Sequence, residues 1–413
     1  MTTDELELRT STSEDLPQLV ALITGAFLRD VEDDELEVHR LVDEPDRTHV
    51  VTDEGEIVAT GAILTRELTV PSATVPAAHV TGVAVRATHR RRGLLTTIMT
   101  AQLQAVRDRG TEPVAALWAS EGAIYGRFGY GLASWQAHYD IATRETSLPA
   151  RATAEREAGR LRQAVPRDVI DRLAEVHDRV RGSRPGMSSR DDRWWRFLTA
   201  DPRSWRRDTS AQRAVLYEVG GKIRGYALWR VKSGWELTGP NGEVSVTEVV
   251  ADDVDAYTTL WRFLLSIDLT RTVRFPFAAP DEPLPYLLTN PAALGTSITP
   301  GLWIRVADVP AALAARRYAA PVDLVLEVTD ALLPNNAGRW RLVDDGSAAR
   351  CEPTDGPPDI RLDVRELGAA YLGGTSLRTL AEAGLVVETT LGSIAVASAA
   401  FGWERAPASI EMF

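Results

Sequence analysis

Residues 48–65, THVVTDEGEIVATGAILT, carry apolar runs on either side of Gly55, and this pattern about a glycine turn predicts a β-hairpin. Residues 213–231, RAVLYEVGGKIRGYALWRV, have the same form, with Gly221 in the place of Gly55 and Ile223 in that of Ile57. At the same offset, HVTGVAVRATHRRRGLLTTIM (79–99) meets SVTEVVADDVDAYTTLWRFLL (245–265). Each begins as a β-branched apolar run and ends in the spacing of an amphipathic helix. Two segments agreeing at one offset predict a duplicated α/β domain.

Past residue 300 the pattern changes. Residues 323–333 and 338–346 read as strands, and 359–374 as a strand followed by a helix. Residues 376–384 read as a helix closed by Gly384, and EPTDGPPD (352–359) as a loop. The expected domains are therefore 1–145, 146–300 and 301–413, the first two joined by a connection at 144–159. A chain of 413 residues is long enough for that number of cores.

Composition narrows the class. With 44% hydrophobic and 25% charged residues the chain is that of a soluble globular protein. No apolar run reaches the roughly 18 residues of a membrane span, and the acidic start MTTDELELRTSTSEDL is not a signal peptide. A lone cysteine, Cys351, fits a reducing compartment, so a cytoplasmic protein is expected. A net charge of -12 argues against nucleic acid and is compatible with a small cationic substrate.

Two stretches carry chemistry. Arg90-Arg91-Arg92-Gly93 lies between the strand of Val83 and Val85 and a following helix. The first N–H groups of a helix lack internal partners and lie at its positive end, so such a junction suits a pyrophosphate. The second copy has Asp252, Asp253 and Asp255 there, followed by Ala256-Tyr257-Thr258-Thr259, and would repel an anion. One active copy is expected. The second stretch is EGAIYGRFGYG (121–131). If a helix begins at Ser120, Ile124 and Phe128 share one face and pack inward, while Tyr125 stands about 100° away, free to face a cleft. A phenol there can protonate a leaving group. The six histidines show no paired pattern, and neither Ser-His-Asp nor metal-ligand spacing occurs, which argues against a hydrolase or a metalloenzyme.

V-x-V followed by an R-x-x-G loop is similar to the acetyl-CoA signature of GNAT acetyltransferases, although Leu95 replaces the usual small residue. VAVRATHRRRGLL, with ASEGAIYGRFGYG further along, resembles the Eis (enhanced intracellular survival) branch. The resemblance implies an α+β fold: tandem GNAT-like α/β domains, the second without cofactor, and a C-terminal sterol-carrier-protein-like domain. It implies acetyl-CoA as co-substrate and no metal. Val83, Ala84 and Val85 would hold the pantetheine arm, and Arg91, Arg92, Gly93, Leu94, Leu95 and Thr96 the pyrophosphate. Ser120 and Glu121 would complete that site. Tyr125 is implied as general acid and the α-carboxylate of Phe413 as base. The acidic stretch 26–42 would wall the acceptor site, where Phe27, Asp30 and Glu411 would serve an amine substrate such as an aminoglycoside, in a homo-hexamer. A lipid-binding protein with a vestigial GNAT domain, or a protein lysine acetyltransferase, are the alternatives.

Overall fold

Two seven-stranded sheets carry the duplicated halves, and each takes a strand from the other. The computed structural model describes residues 6–149 and 159–413; most of the expected connection at 144–159 lies outside the described residues. The first sheet runs Glu7–Thr10, His49–Asp53, Glu56–Val70, Ala73–Val85, Val114–Trp118, Leu302–Val306, Gly131–Leu132. The second runs Arg160–Ala164, Arg213–Val219, Lys222–Lys232, Gly242–Ala251, Thr270–Ala278, Trp135–Ala142, Ser297–Pro300. Read side by side, the orders are the same, with Leu302–Val306 and Trp135–Ala142 in corresponding places. Ile304 pairs with Ala116 in the first sheet, and Tyr139 pairs with Phe275 in the second. Boundaries at 145 and 300 therefore divide the chain without dividing the sheets.

Both expected hairpins form, and both turn glycines, Gly55 and Gly221, have positive φ. The constant offset fails after the matching strands. The first copy inserts residues 86–93 before the helix Leu94–Arg109, whereas only Asp252 and Asp253 precede the helix Val254–Leu265. Ala256–Thr259, expected in a loop, are thus helical.

The third sheet runs Arg350–Pro353, Gly338–Asp344, Val322–Thr329, Ile360–Asp363, Val386–Glu388. The helix expected at 376–384 is Leu377–Glu382, with Ser376 capping its start and Gly384 in the left-handed region beyond its end. The expected loop at 352–359 is shorter, because Glu352 and Pro353 finish a strand. One apolar cluster spans this sheet and the first, from Leu68 and Ile304 to Leu326, Leu367 and Phe401. Burial of that size fixes the third sheet's helix Val364–Ala370 against the segment that carries Tyr125. Among the described residues no helix is long and apolar enough to cross a membrane.

Candidate active site

Parallel pairing between Ala73–Val85 and Val114–Trp118 begins at Ala77 with Val114 and stops at Val80 with Leu117. On its other side the first strand stays bonded to Glu56–Val70 as far as Val85 with Ala59, across a bulge between Thr60 and Ala62. Gly82, opposite that bulge, has φ of 58°. The bulge bends the strand and the partners splay. Among the described residues one edge of Val83, Ala84 and Val85 is left without a strand partner, facing a wedge that an extended chain can enter.

A cleft of about 500 Å³ follows that wedge. Val83–Val85 line it, as do Arg90, Arg91, the helix start Gly93–Thr96, Ser120 and Glu121. Gly93 is the N-cap at φ of 85°, and no side chain caps the helix. Its first N–H groups are thus open to an anion, with two arginines alongside. The second copy differs in kind: Asp253 accepts from the N–H of Ala256 at 2.8 Å, so the chain's own carboxylate fills the place of a phosphate. Arg92 turns from the cleft toward Asp53, at 3.8 Å. His89 lines the cleft but holds Asp53 at 2.8 Å. Leu95 packs against the core of the first half while lining the cleft.

The helix at EGAIYGRFGYG starts at Gly122, with Glu121 rather than Ser120 as N-cap. It lasts one turn, Gly122–Tyr125, and tightens to a 3-10 turn over Gly126–Phe128. Phe128 is buried as expected, but Ile124 is half-buried and lines this cleft. Tyr125 is the more enclosed, at 6% exposure. It lines both this cleft and a second one. Burial, with Glu121 adding to it, raises its pKa, so the phenol keeps its proton at neutral pH. The glycines answer a packing demand. A Cβ on Gly129, at φ of 81°, would lie 2.8 Å from Arg305 Nε, and one on Gly131 would lie 1.9 Å from the Arg365 carbonyl oxygen.

The second cleft, about 460 Å³, joins the first at Phe27, Val83, Ser120 and Tyr125. Phe413 lines it, its ring meeting His79 edge to face at 4.5 Å. His79 is fully enclosed. Its Nδ1 lies 3.0 Å from the Ala77 carbonyl, which can only accept, so Nε2 accepts from Ser188 Oγ at 2.8 Å. Burial, and Arg66 nearby, push its pKa down to about 3, so it stays neutral.

Two expected substrate residues fall elsewhere. Asp30 is exposed and lines neither cleft. Glu411 is buried: Arg66 pairs with Oε1, while Arg190 Nε and Trp194 Nε1 donate to Oε2 at 2.8 and 2.9 Å. Burial alone would raise its pKa, but Arg190 and Arg66 hold it down at about 2. Its charge is spent on anchoring the tail. Nor is 26–42 an acidic wall. Helices Leu16–Ala26 and Leu36–Arg40 flank a turn in which Glu35 pairs with Arg29 and Asp34 accepts from Arg203 N and Ser204 Oγ. Among the described residues the side-chain carboxylates that do line the second cleft are Asp43 and Glu44, just beyond that stretch. Sequence reasoning missed them, and the signal was their place in LVDEPD, between a short helix and the central strands.

Residues 7–133 and 186–316 each match an acetyltransferase (GNAT) domain, and 309–409 a sterol carrier protein domain. An uncharacterized N-acetyltransferase of Streptomyces avermitilis is 43% identical over 375 residues, 91% of each chain. The N-acetyltransferase Eis of Mycobacterium tuberculosis is 34% identical over 383 residues, 90% of each. The crystal structure of Eis1 from Mycobacterium abscessus superposes with a TM-score of 0.83 at 31% identity, covering 98% of this chain and 100% of that one. With its splayed strands, uncapped basic helix start and twinned sheets, the chain belongs to the Eis-type GNAT N-acetyltransferases, acetyl-CoA-dependent acyltransferases that end in a sterol-carrier-like domain.

Proposed function

We propose that the protein transfers acetyl from acetyl-CoA directly to a primary amine of a polycationic acceptor, such as an aminoglycoside or a polyamine. One observation carries this reading: two clefts of opposite character meet at Tyr125. Among the described residues the cofactor cleft is lined by Arg90, Arg91 and Arg127 against Glu121 alone among carboxylates. The acceptor cleft has Asp43 and Glu44, and none of its described lining residues is Lys or Arg. A polyanion and a polycation would each be drawn to its own side and held with their reactive ends together.

In this proposal the wedge at Val83–Val85 holds the pantetheine arm, and Arg91 with the N–H groups from Gly93 to Thr96 holds the pyrophosphate. Arg92, Ser120 and Glu121 border that site. The amine nitrogen attacks the thioester carbonyl carbon, a C–N bond forms and the C–S bond breaks. The thiolate takes the phenolic proton of Tyr125. The proton lost by the amine goes to the α-carboxylate of Phe413, directly or through water, since His79 is already committed on both ring nitrogens. Phe27, exposed between the clefts, covers the reacting carbon. The proposal includes a cytoplasmic homo-hexamer, on the strength of the lone cysteine and the family.

A thiol-release assay with acetyl-CoA and a panel of aminoglycosides, polyamines and lysine peptides tests the substrate class. Tyr125→Phe should lower kcat by about 10²–10⁴-fold and leave acetyl-CoA affinity within about twofold. Undiminished turnover would remove Tyr125 from the mechanism.

A further inference from the structure

We propose that Asp43 receives a second ammonium group of the acceptor, and thereby selects substrates carrying two or more amines. This rests on reading the second cleft as the acceptor site. Besides Tyr125, three titratable side chains among the described residues line that cleft: His39, Asp43 and Glu44. Glu44 is already occupied. Its Oε1 accepts from Thr65 N at 2.9 Å and its Oε2 from Thr65 Oγ1 at 2.6 Å. His39 packs against the rings of Phe197 and Trp205, and burial keeps it neutral, so it neither attracts nor repels a cation.

Asp43 stands apart. It is half-buried, and among the described residues it makes no hydrogen bond and no ion pair. Arg40 on the preceding helix acts on it only at longer range and is itself 3.5 Å from Glu37. Burial raises the pKa of Asp43, as expected of a carboxylate taken partly out of water with nothing supplied in return. A bound ammonium would supply it. The hydroxyl of Thr60 gives a second, independent sign. It is 1% exposed, lines the same cleft and also lacks a hydrogen-bond partner among the described residues. Asp43 and Thr60 are thus unmatched groups in one cleft that can accept an N–H. An acceptor that places one amine at Tyr125 and another at Asp43 satisfies the cleft; a monoamine leaves Asp43 unpaired.

The test compares 1,4-diaminobutane and spermidine with butylamine by thiol release at saturating acetyl-CoA. The wild-type chain should prefer the polyamines in kcat/KM by about tenfold or more, the yield of one charge-assisted contact. Salt should erode the preference. Asp43→Asn should reduce it about tenfold, lowering kcat/KM for the polyamines more than for butylamine, with calorimetric acetyl-CoA affinity within about twofold of wild type. Asp43→Glu should retain it in part. Equal loss for all amines would place Asp43 at the reacting nitrogen or in the scaffold and overturn the proposal, as would an unchanged ratio. A wild-type chain with no polyamine preference overturns it without recourse to any variant. Turnover with lysine peptides alone, or with no amine at all, defeats the substrate reading itself, a result distinct from normal amine turnover that ignores Asp43.

Discussion

Arg190 donates its Nε proton to Oε2 of Glu411 at 2.8 Å while its two terminal nitrogens hold Glu248 at 3.1 and 2.7 Å. Arg66 takes the other oxygen of Glu411. Arg66 lies on the first sheet and Glu248 on the second, so Glu411 closes a bridge between the halves. Replacing it strands the Arg66 guanidinium, which is 8% exposed, without its carboxylate. Glu411→Ala should therefore cost about 3–5 kcal/mol in urea denaturation. A loss below about 1 kcal/mol would mean the bridge contributes little.

The neutral state of His79 sets a pH dependence. Its pKa is about 3 in the folded chain and near 6.5 when unfolded, so only the unfolded chain takes up a proton between those values. Stability is thus lost as pH falls below about 6.5, by up to about 1.4 kcal/mol per pH unit from this group. His39, His49 and His177 shift in the same direction. His79→Gln removes one titration from that set. The gap in unfolding free energy between wild type and variant should narrow from pH 7 to pH 5; a constant gap would contradict the assignment.

Adjacent arginines should behave differently. Arg91 lines the cleft proposed for the cofactor, while Arg92 sits 3.8 Å from Asp53 and outside it. Arg91→Ala should raise the KM for acetyl-CoA by about 10–100-fold, the scale of a charge-assisted phosphate contact, with a shallower salt dependence. Arg92→Ala should change it by less than about threefold. Equal effects of the two would show that the loop closes further around the diphosphate.

Local patterns in the chain were enough to place the hairpins at Gly55 and Gly221, the basic loop before Leu94 and the helix closed by Gly384, because each is written within a few residues. Relationships between distant segments were not legible. Nothing near residue 302 announces that Leu302–Val306 pairs with Val114–Trp118 rather than with its own sheet. The acidity of 26–42 pointed to a substrate wall, yet Glu35 and Asp34 are spent on Arg29 and on the Arg203–Ser204 backbone and hydroxyl. Glu411 looked like cleft charge because Arg66 and Arg190 lie hundreds of positions away in the chain. Residue type told which groups carry charge, and only the fold told which charges remain unspent.

The contact between Gly131 and the helix Val364–Ala370 yields the last prediction. A Cβ on Gly131 would stand 1.9 Å from the Arg365 carbonyl oxygen and 2.4 Å from the Ala369 nitrogen, both backbone atoms that cannot rotate away. From the other side, Gly368 leaves no room for a Cβ either, with the Ile304 carbonyl oxygen at 2.2 Å. Gly131→Ala must therefore push the helix off the strand and strain the short segment that holds Tyr125. We expect a loss of about 2–3 kcal/mol. We also expect a fall in kcat larger than any change in acetyl-CoA affinity, because Tyr125 moves while the Gly93 loop does not. Gly55→Ala is the comparison: its Cβ would meet nothing within 4 Å, and only the positive φ of 83° opposes it. That change should cost about 1 kcal/mol and leave kcat alone. If the two variants unfold at the same denaturant concentration and turn over alike, the third domain does not brace the catalytic segment.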